Sequence, residues 1–126
     1  MTNQEIFDKV SKHLLIQKCK SMNTQEECQY RGENTSCAVG CLIPDDLYDS
    51  IIEGWVFVGS DYSAETVGEK KLHRILSCIG ITKENDRIIK DLQHCHDSNA
   101  VSMWREQLFY IAGKHLLSIK ELRTII

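Results

Sequence analysis

The sequence has no apolar run approaching the ~18 residues that a membrane-crossing helix needs, so no transmembrane segment is expected. The opening MTNQEIFDKV lacks a basic stretch followed by an apolar one, so no export signal is expected and the cytoplasm is the expected compartment. The phosphate-cradling GxxxxGK[ST], the dinucleotide-binding GxGxxG, the metallopeptidase HExxH and the GxSxG nucleophile elbow are all missing. So is the short C-x2-C knuckle by which structural zinc sites are recognised. No cofactor is expected. No internal repeat, low-complexity tract or linker interrupts the chain. Nor does one charge dominate: 15 basic and 18 acidic residues give a formal charge of −3, which offers no general attraction to nucleic acid or anionic lipid. Lys12, Lys18 and Lys20, and likewise Lys70, Lys71 and Arg74, read as solvated helix faces.

What is present suits one domain spanning residues 1–126, because a chain of this size hides roughly two thirds of the surface its unfolded form exposes. The six cysteines, an even number, suggest a disulfide framework. The missing export signal argues instead for free thiols that behave as small buried hydrophobes.

Helical periodicity dominates. Thr2 followed by Glu5 is a capping-box pattern, and Ile6, Phe7, Val10, Leu14 and Leu15 then recur at helical spacing, with His13 beside the stripe. Residues 63 to 79 predict a second helix with Val67, Leu72, Ile75, Leu76 and Ile79 inward, stopped by Gly80. Thr82 is placed to cap a third, with Ile88, Ile89 and Leu92 on its apolar face, fading between His94 and Asn99. A long helix is expected from Val101 to Leu117, with Trp104, Leu108, Ile111, Ala112 and His115 on one stripe. Ser118 and Glu121 suggest a capped terminal helix ending in Ile125 and Ile126. The helices at 63–79 and 84–96 are compatible with a helical hairpin, but the second offers only Arg87 and Lys90 against Asp86 and Asp91, weak for reading DNA.

Between the first two helices lies a turn-rich centre, Cys28 to Gly54, holding the single proline, Pro44. Cys28–Arg31 reads as an extended piece and Gly32–Ser36 as a turn. Cys37–Ile43 is apolar and favours a short helix, ended by Pro44, which biases Ile43 away from helical angles. Pro44–Tyr48 can begin another helical turn. Gly54-Trp-Val-Phe-Val-Gly59 reads as a short strand or a buried loop; as a strand, its best partner is Cys28–Arg31. The expected fold is therefore mainly α, about five helices around a central turn-rich segment, with a short two-stranded ribbon as an option.

Several groups of residues could carry chemistry. Cys28, Cys37 and Cys41 with one histidine would make a tetrahedral zinc site, and Cys37 and Cys41 share a helix face; three buried thiols is the plainer reading. His96 and Asp97, within His94-Cys-His-Asp97, could form part of a hydrolytic centre or simply tie off a helix end. Asp45, Asp46 and Glu53 bracket Tyr48 and could divide acid and base work. Arg31, between Tyr30 and Gly32, could clamp Asp45, Asp49 or Glu53 inside the molecule, or meet a phosphate or an acidic partner.

FDKVSKHLLIQ, the central CQYRG…CAVGCLIPDDLYD…EG, LQHCHD and the late W…L…IAGKHLL are similar, over nearly the whole chain, to a family of small uncharacterised proteins of bacteria and phages. The resemblance rests on Cys28, Tyr30, Arg31, Cys37, Ala38, Gly40, Leu42, Ile43, Asp45, Tyr48, Glu53 and Gly54, then His96 and Asp97. It implies that these residues form a unit and carries over no activity. Cys19, Cys41, Cys78 and Cys95 fall outside the pattern, which counts against a four-cysteine zinc site built with Cys41.

Three functional classes follow. The first is a small protein-binding or regulatory protein, phage-encoded and acting on a host defence or regulatory protein through Tyr30, Arg31 and Tyr48, or self-associating. The second is a small hydrolase built on Arg31, Asp45, Glu53, His96 and Asp97. The third is a zinc-stabilised module. The reading favours the first and leans away from an enzyme.

Overall fold

The computed structural model describes residues 1–125. It is mainly α, with five helices and one two-stranded ribbon, as the periodicity predicts. Helix α1 (Asn3–Gln17) is the hub: it packs against α3 (Asp86–Ser98), α4 (Trp104–Lys114), α5 (Lys120–Thr124) and the 3₁₀ turn Gly40–Leu42. Its capping box is formed as expected. Thr2 Oγ1 accepts the Glu5 N–H at 3.1 Å, and the Glu5 carboxylate accepts the Thr2 N–H at 3.3 Å. Ile6, Phe7, Val10 and Leu14 are fully buried, so nearly the whole apolar stripe faces the core, with Leu15 at its margin. No helix among the described residues is long and apolar enough to cross a membrane.

The ribbon pairs β1 (Arg31–Gly32) antiparallel with β2 (Thr35–Ser36), with Arg31 opposite Ser36 and Gly32 opposite Thr35. Its turn is Glu33-Asn34, and Asn34 takes the left-handed conformation (φ 56) that asparagine tolerates better than most residues. The pairing expected between Cys28–Arg31 and residues 54–59 is not made. Arg31 and Gly32 pair with the residues that immediately follow them, where loop closure costs least. Cys28 bridges to Met22, and residues 55–59 carry no ladder.

Cys37–Ile43 is helical only for one tight turn. The Cys41 N–H reaches the Cys37 carbonyl at 3.0 Å, after which Leu42 and Ile43 bond back to Val39 and Gly40 in 3₁₀ fashion. Ile43 is extended ahead of Pro44, as proline requires, and Leu47 and Tyr48 both bond back to the Pro44 carbonyl. Gly40 lies so close to the start of the ribbon that an ideal Cβ there would sit 2.0 Å from the Tyr30 carbonyl oxygen.

Helix α2 (Val67–Cys78) starts later than expected because Thr66 and Glu69 form its capping box, which leaves residues 63–65 outside. Val67, expected inward, occupies the first turn and is 69% exposed. Gly80 (φ 88) ends the helix in the left-handed region, with Ile81 N–H bonded to the Leu76 carbonyl at 3.0 Å. The long helix expected over Val101–Leu117 is instead a 3₁₀ turn, Val101–Met103, leading into α4. Leu116 adopts φ 55 and the Leu117 N–H closes onto the Ala112 carbonyl at 2.8 Å, so the helix ends at Lys114, three residues earlier than expected. Ser118 does not form the expected box with Glu121. It accepts the Lys120 N–H at 3.2 Å, and Ile119 occupies the cap of α5. Ile126 lies outside the described residues.

Because the Gly40 clash is with backbone, Gly40→Ala is expected to destabilise the protein by about 3 kcal/mol or more. Urea unfolding followed by circular dichroism measures it; a loss within about 0.5 kcal/mol would mean the turn and the ribbon can separate cheaply.

Candidate functional site

The residues singled out in the sequence fall into two hydrogen-bonded groups that meet at one cleft of about 260 Å³. The first group is organised by Glu53. Its Oε1 accepts the Tyr30 N–H at 2.8 Å; its Oε2 accepts the Arg31 N–H at 3.0 Å and the Tyr48 hydroxyl at 2.6 Å. Arg31 donates from Nη1 to Asp45 Oδ1 at 2.7 Å and from Nη2 to the Ile43 carbonyl at 2.5 Å, with its guanidinium 5.0 Å from the Tyr48 ring centre. The Tyr30 hydroxyl donates to the Trp55 carbonyl. Arg31 is thus an internal clamp. It holds the stretch around Pro44 against the ribbon while Asp45 remains open to solvent. Burial, then the neighbouring Glu53 hydrogen bond and charge, push the Tyr48 phenol up; burial with the Cys37 and Glu53 charges does the same to Tyr30. Both stay protonated at neutral pH.

The second group is organised by His96, which is fully buried and stacked on Trp104 with ring centres 5.5 Å apart. His96 Nε2 accepts the Ser21 N–H at 3.0 Å, which fixes the tautomer and puts the ring proton on Nδ1. Nδ1 donates to Asp97 Oδ1 at 2.6 Å, and Gln93 Nε2 donates to the same oxygen at 2.8 Å. Gln93 reaches the other way as well: its Oε1 accepts the Val39 N–H at 2.9 Å. Burial alone would raise the Asp97 carboxyl, but the hydrogen bonds from His96 and Gln93 outweigh it and hold the group below its usual range. The Cys28 thiol points at the same carboxylate. Partial burial, then the Asp97 charge and hydrogen bond, push that thiol up, against the weaker pull of Lys20.

Glu53, Asp97, Cys28, Tyr30 and Cys37 all line the cleft, so the central segment and the late His-Asp pair are neighbours in space. Arg31, Asp45 and Tyr48 lie behind Glu53 and do not line it. His96 spends Nδ1 on Asp97 and Nε2 on the Ser21 amide, so it has no free nitrogen to take the Cys28 thiol proton as a general base would. Both oxygens of Glu53 are occupied by donors, which leaves Asp97 as the carboxylate that faces the Cys28 thiol in the cleft.

For a metal, Cys28, His96 and Asp97 each offer a ligand atom within 4.8 Å of the others, and no further group of this kind stands out among the described residues. Cys37 and Cys41 are not part of it. The fit is poor: both His96 nitrogens are already engaged, and three donors fall one short of a closed tetrahedral site. All six thiols are free, but only Cys37 and Cys95 are buried; Cys19, Cys28 and Cys78 are exposed, against the expectation of buried thiols. Burial pushes the Cys37 thiol up to about 12 and the Cys95 thiol up to about 11.

Gln93, Trp55 and Glu27 also belong to the site and were not singled out in the sequence. Gln93 carries one readable signal, its position four residues before Asp97 on the same helix face. No protein-family model, curated protein or solved structure matches this chain.

Glu53→Gln turns one acceptor into a donor facing the Tyr30 and Arg31 amides, and is expected to cost about 2 to 3 kcal/mol in urea unfolding. An unchanged midpoint would remove Glu53 as the anchor of the ribbon. Asp97, held low in the folded state, stabilises the fold at pH values above its unfolded pKa of about 4, and that contribution is lost as the pH falls towards its folded value. Asp97→Asn should therefore flatten the decline in stability below about pH 4 to 5, read from urea midpoints across pH. Parallel wild-type and variant curves would show that Asp97 is not held in this way.

Proposed function

We propose that this chain is a protein-binding module and that the surface it uses is the stretch running from the Ser50–Ile52 turn to the start of α2. The observation that carries the reading is a run of six exposed apolar residues along that stretch, Ile51, Trp55, Val56, Val58, Tyr62 and Val67, where the other exposed apolar residues, such as Ile16, Tyr110 and Leu116, are spread over α1, α4 and the turn after it. An ideal Cβ on Gly68 would lie 2.4 Å from the Trp55 ring, so the indole is pressed against the first turn of α2 beside Val67, and the patch is continuous across two segments. Apolar side chains gathered in this way, outside the core, mark a contact surface more than a solvent-facing one. The alternative of a hydrolase has weaker support. Both oxygens of Glu53 are spent on the Tyr30 and Arg31 amides and the Tyr48 hydroxyl, the Arg31 guanidinium is turned to Asp45 and the Ile43 carbonyl, and His96 spends both nitrogens inside the fold. Of Arg31, Tyr30 and Tyr48, expected to touch a partner, Tyr30 is tied to this stretch by its hydroxyl bond to the Trp55 carbonyl, and Arg31 and Tyr48 are joined to it through Glu53. The resemblance to small proteins of bacteria and phages directs the search to bacterial proteins, with host defence and regulatory proteins as the first class to examine.

The test uses the purified chain as bait in bacterial lysate beside Val56→Glu and Val67→Glu, both at exposed positions, with folding checked by thermal melts. One stoichiometric partner, captured by the wild type and lost with either charge, is expected. Size-exclusion chromatography of the same proteins covers self-association. A partner retained by both variants, or neither a partner nor a dimer, would overturn this surface as the site of function.

A further inference from the structure

Residues 55–59 hold an unused edge. From Val56 to Gly59 exposure alternates outward and inward, with Val56 76% exposed, Phe57 buried and Val58 exposed again, the period of an extended chain. With that period, the backbone groups of Trp55 and Phe57 share one edge and those of Val56 and Val58 share the other. The first edge is satisfied from inside: the Tyr30 hydroxyl donates to the Trp55 carbonyl and is also hydrogen-bonded to the Phe57 backbone. A single phenol therefore stands where a neighbouring strand would. Among the described residues, the N–H and C=O groups of Val56 and Val58 have no hydrogen-bond partner on the opposite edge.

At its Trp55 end this edge borders charges of one sign, whereas at the Gly59 end Lys90 Nζ lies beside the Asp86 carboxylate. The cleft that Trp55 and Val56 border contains the carboxylates of Glu27, Glu53 and Asp97 and no lysine or arginine. Lys20 Nζ is turned to the Asp97 carbonyl at 3.2 Å and does not line the cleft. The Glu53 oxygens are taken up by their donors, but Glu27 is exposed and Asp97 is held below the usual carboxylate range. The Trp55 indole, half open to solvent, adds a ring face of the kind that attracts a cation.

We infer that the partner docks as an extended segment laid along the Val56–Val58 edge, with a lysine or arginine side chain set over Trp55 into the Glu27–Asp97 cleft. This rests on the protein-binding reading above and adds its mode and its chemistry. Strand addition of this kind draws affinity from main-chain hydrogen bonds and specificity from alternate side chains. Here the outward valines meet apolar residues of the incoming strand, and the cleft selects a positive charge.

The experiment is fluorescence anisotropy with the full chain and labelled synthetic peptides of alternating threonine and valine. One carries a central arginine, one a central glutamate in its place, and one the arginine with N-methylated amides at alternate positions. The arginine peptide is expected to bind at least about tenfold more tightly than the glutamate peptide, and to weaken with added salt. N-methylation is expected to abolish binding, and Glu27→Gln, at an exposed position, to weaken it several-fold. In amide-resolved NMR the Val56 and Val58 signals should shift most and gain protection from exchange. Equal binding of the arginine and glutamate peptides, indifference to N-methylation, or shifts centred away from residues 55–59 would each overturn the inference. If every peptide fails while a lysate partner is captured and lost with Val56→Glu, strand addition is overturned and the protein-binding reading stands.

Discussion

The carboxylate of Glu53 is the constraint on which the centre of the molecule depends. The ribbon has two residues in each strand, too short to be stable by its own ladder. Glu53 supplies what the ladder lacks by accepting the Tyr30 and Arg31 amides at the mouth of the ribbon. Hydrogen bonds to an ionised group are worth about 1.5 to 3 kcal/mol each, more than a neutral pair, so one side chain can register the whole segment. The Tyr48 hydroxyl then closes the unit from the far side, and Arg31 lies over the Tyr48 ring while reaching Asp45. Gly40 completes it by letting the following turn rest directly on the Tyr30 carbonyl. Sequence, local turn and packing converge here on a single acceptor.

A second buried acceptor plays the same part at the end of α3. Histidine suits the position because one neutral ring can accept from a backbone amide and donate to a carboxylate at once, which no aliphatic or acidic side chain can do. The Ser21 N–H would otherwise be an orphan in the interior, since Ser21 is fully buried. The consequence for function is negative but specific. Glu53 and His96, which look catalytic when read as letters, are spent on backbone amides and on neighbouring side chains inside the fold.

The sequence was informative where a local rule decided the outcome. Thr2 and Glu5 announced the start of α1, Gly80 the end of α2, and Pro44 the end of the apolar turn, each through the conformation of one or two residues. It was less informative where a local signal met a competing one. Val67 sits on the helical stripe, yet Thr66 and Glu69 form a better cap and leave it in the exposed first turn. Leu116 continues the stripe of α4 by spacing, but the chain turns left-handed there and the side chain is 93% exposed. The cleft itself was beyond pattern reading, because Cys28, Glu53 and Asp97 are far apart along the chain and only the packing of α3 against α1 and the centre brings them together. Arg31 and Glu53 were visible as candidates, whereas the Glu53 bonds to main-chain amides were not, since backbone acceptor needs leave no mark in composition.

An unpaired edge is ordinarily a hazard, and proteins blunt such edges by keeping them short or by breaking them with special backbone geometry. Both devices are present here. Gly54 (φ 85) and Gly59 (φ 147) bound the stretch with conformations that side-chain-bearing residues rarely adopt, so the edge cannot lengthen into either neighbour. An edge this short offers an incoming chain only the backbone groups of Val56 and Val58, too few to hold a partner by main-chain bonds alone. Side chains then have to add to those main-chain bonds, and the ones available are two outward valines, a half-open indole and a cleft of carboxylates. That combination favours a strand bearing a positive charge and gives little to an identical copy of this chain, whose own Trp55–Val58 stretch is flanked by no lysine or arginine. The glycines that protect the edge from indiscriminate pairing are thus the same features that make its recognition depend on charge.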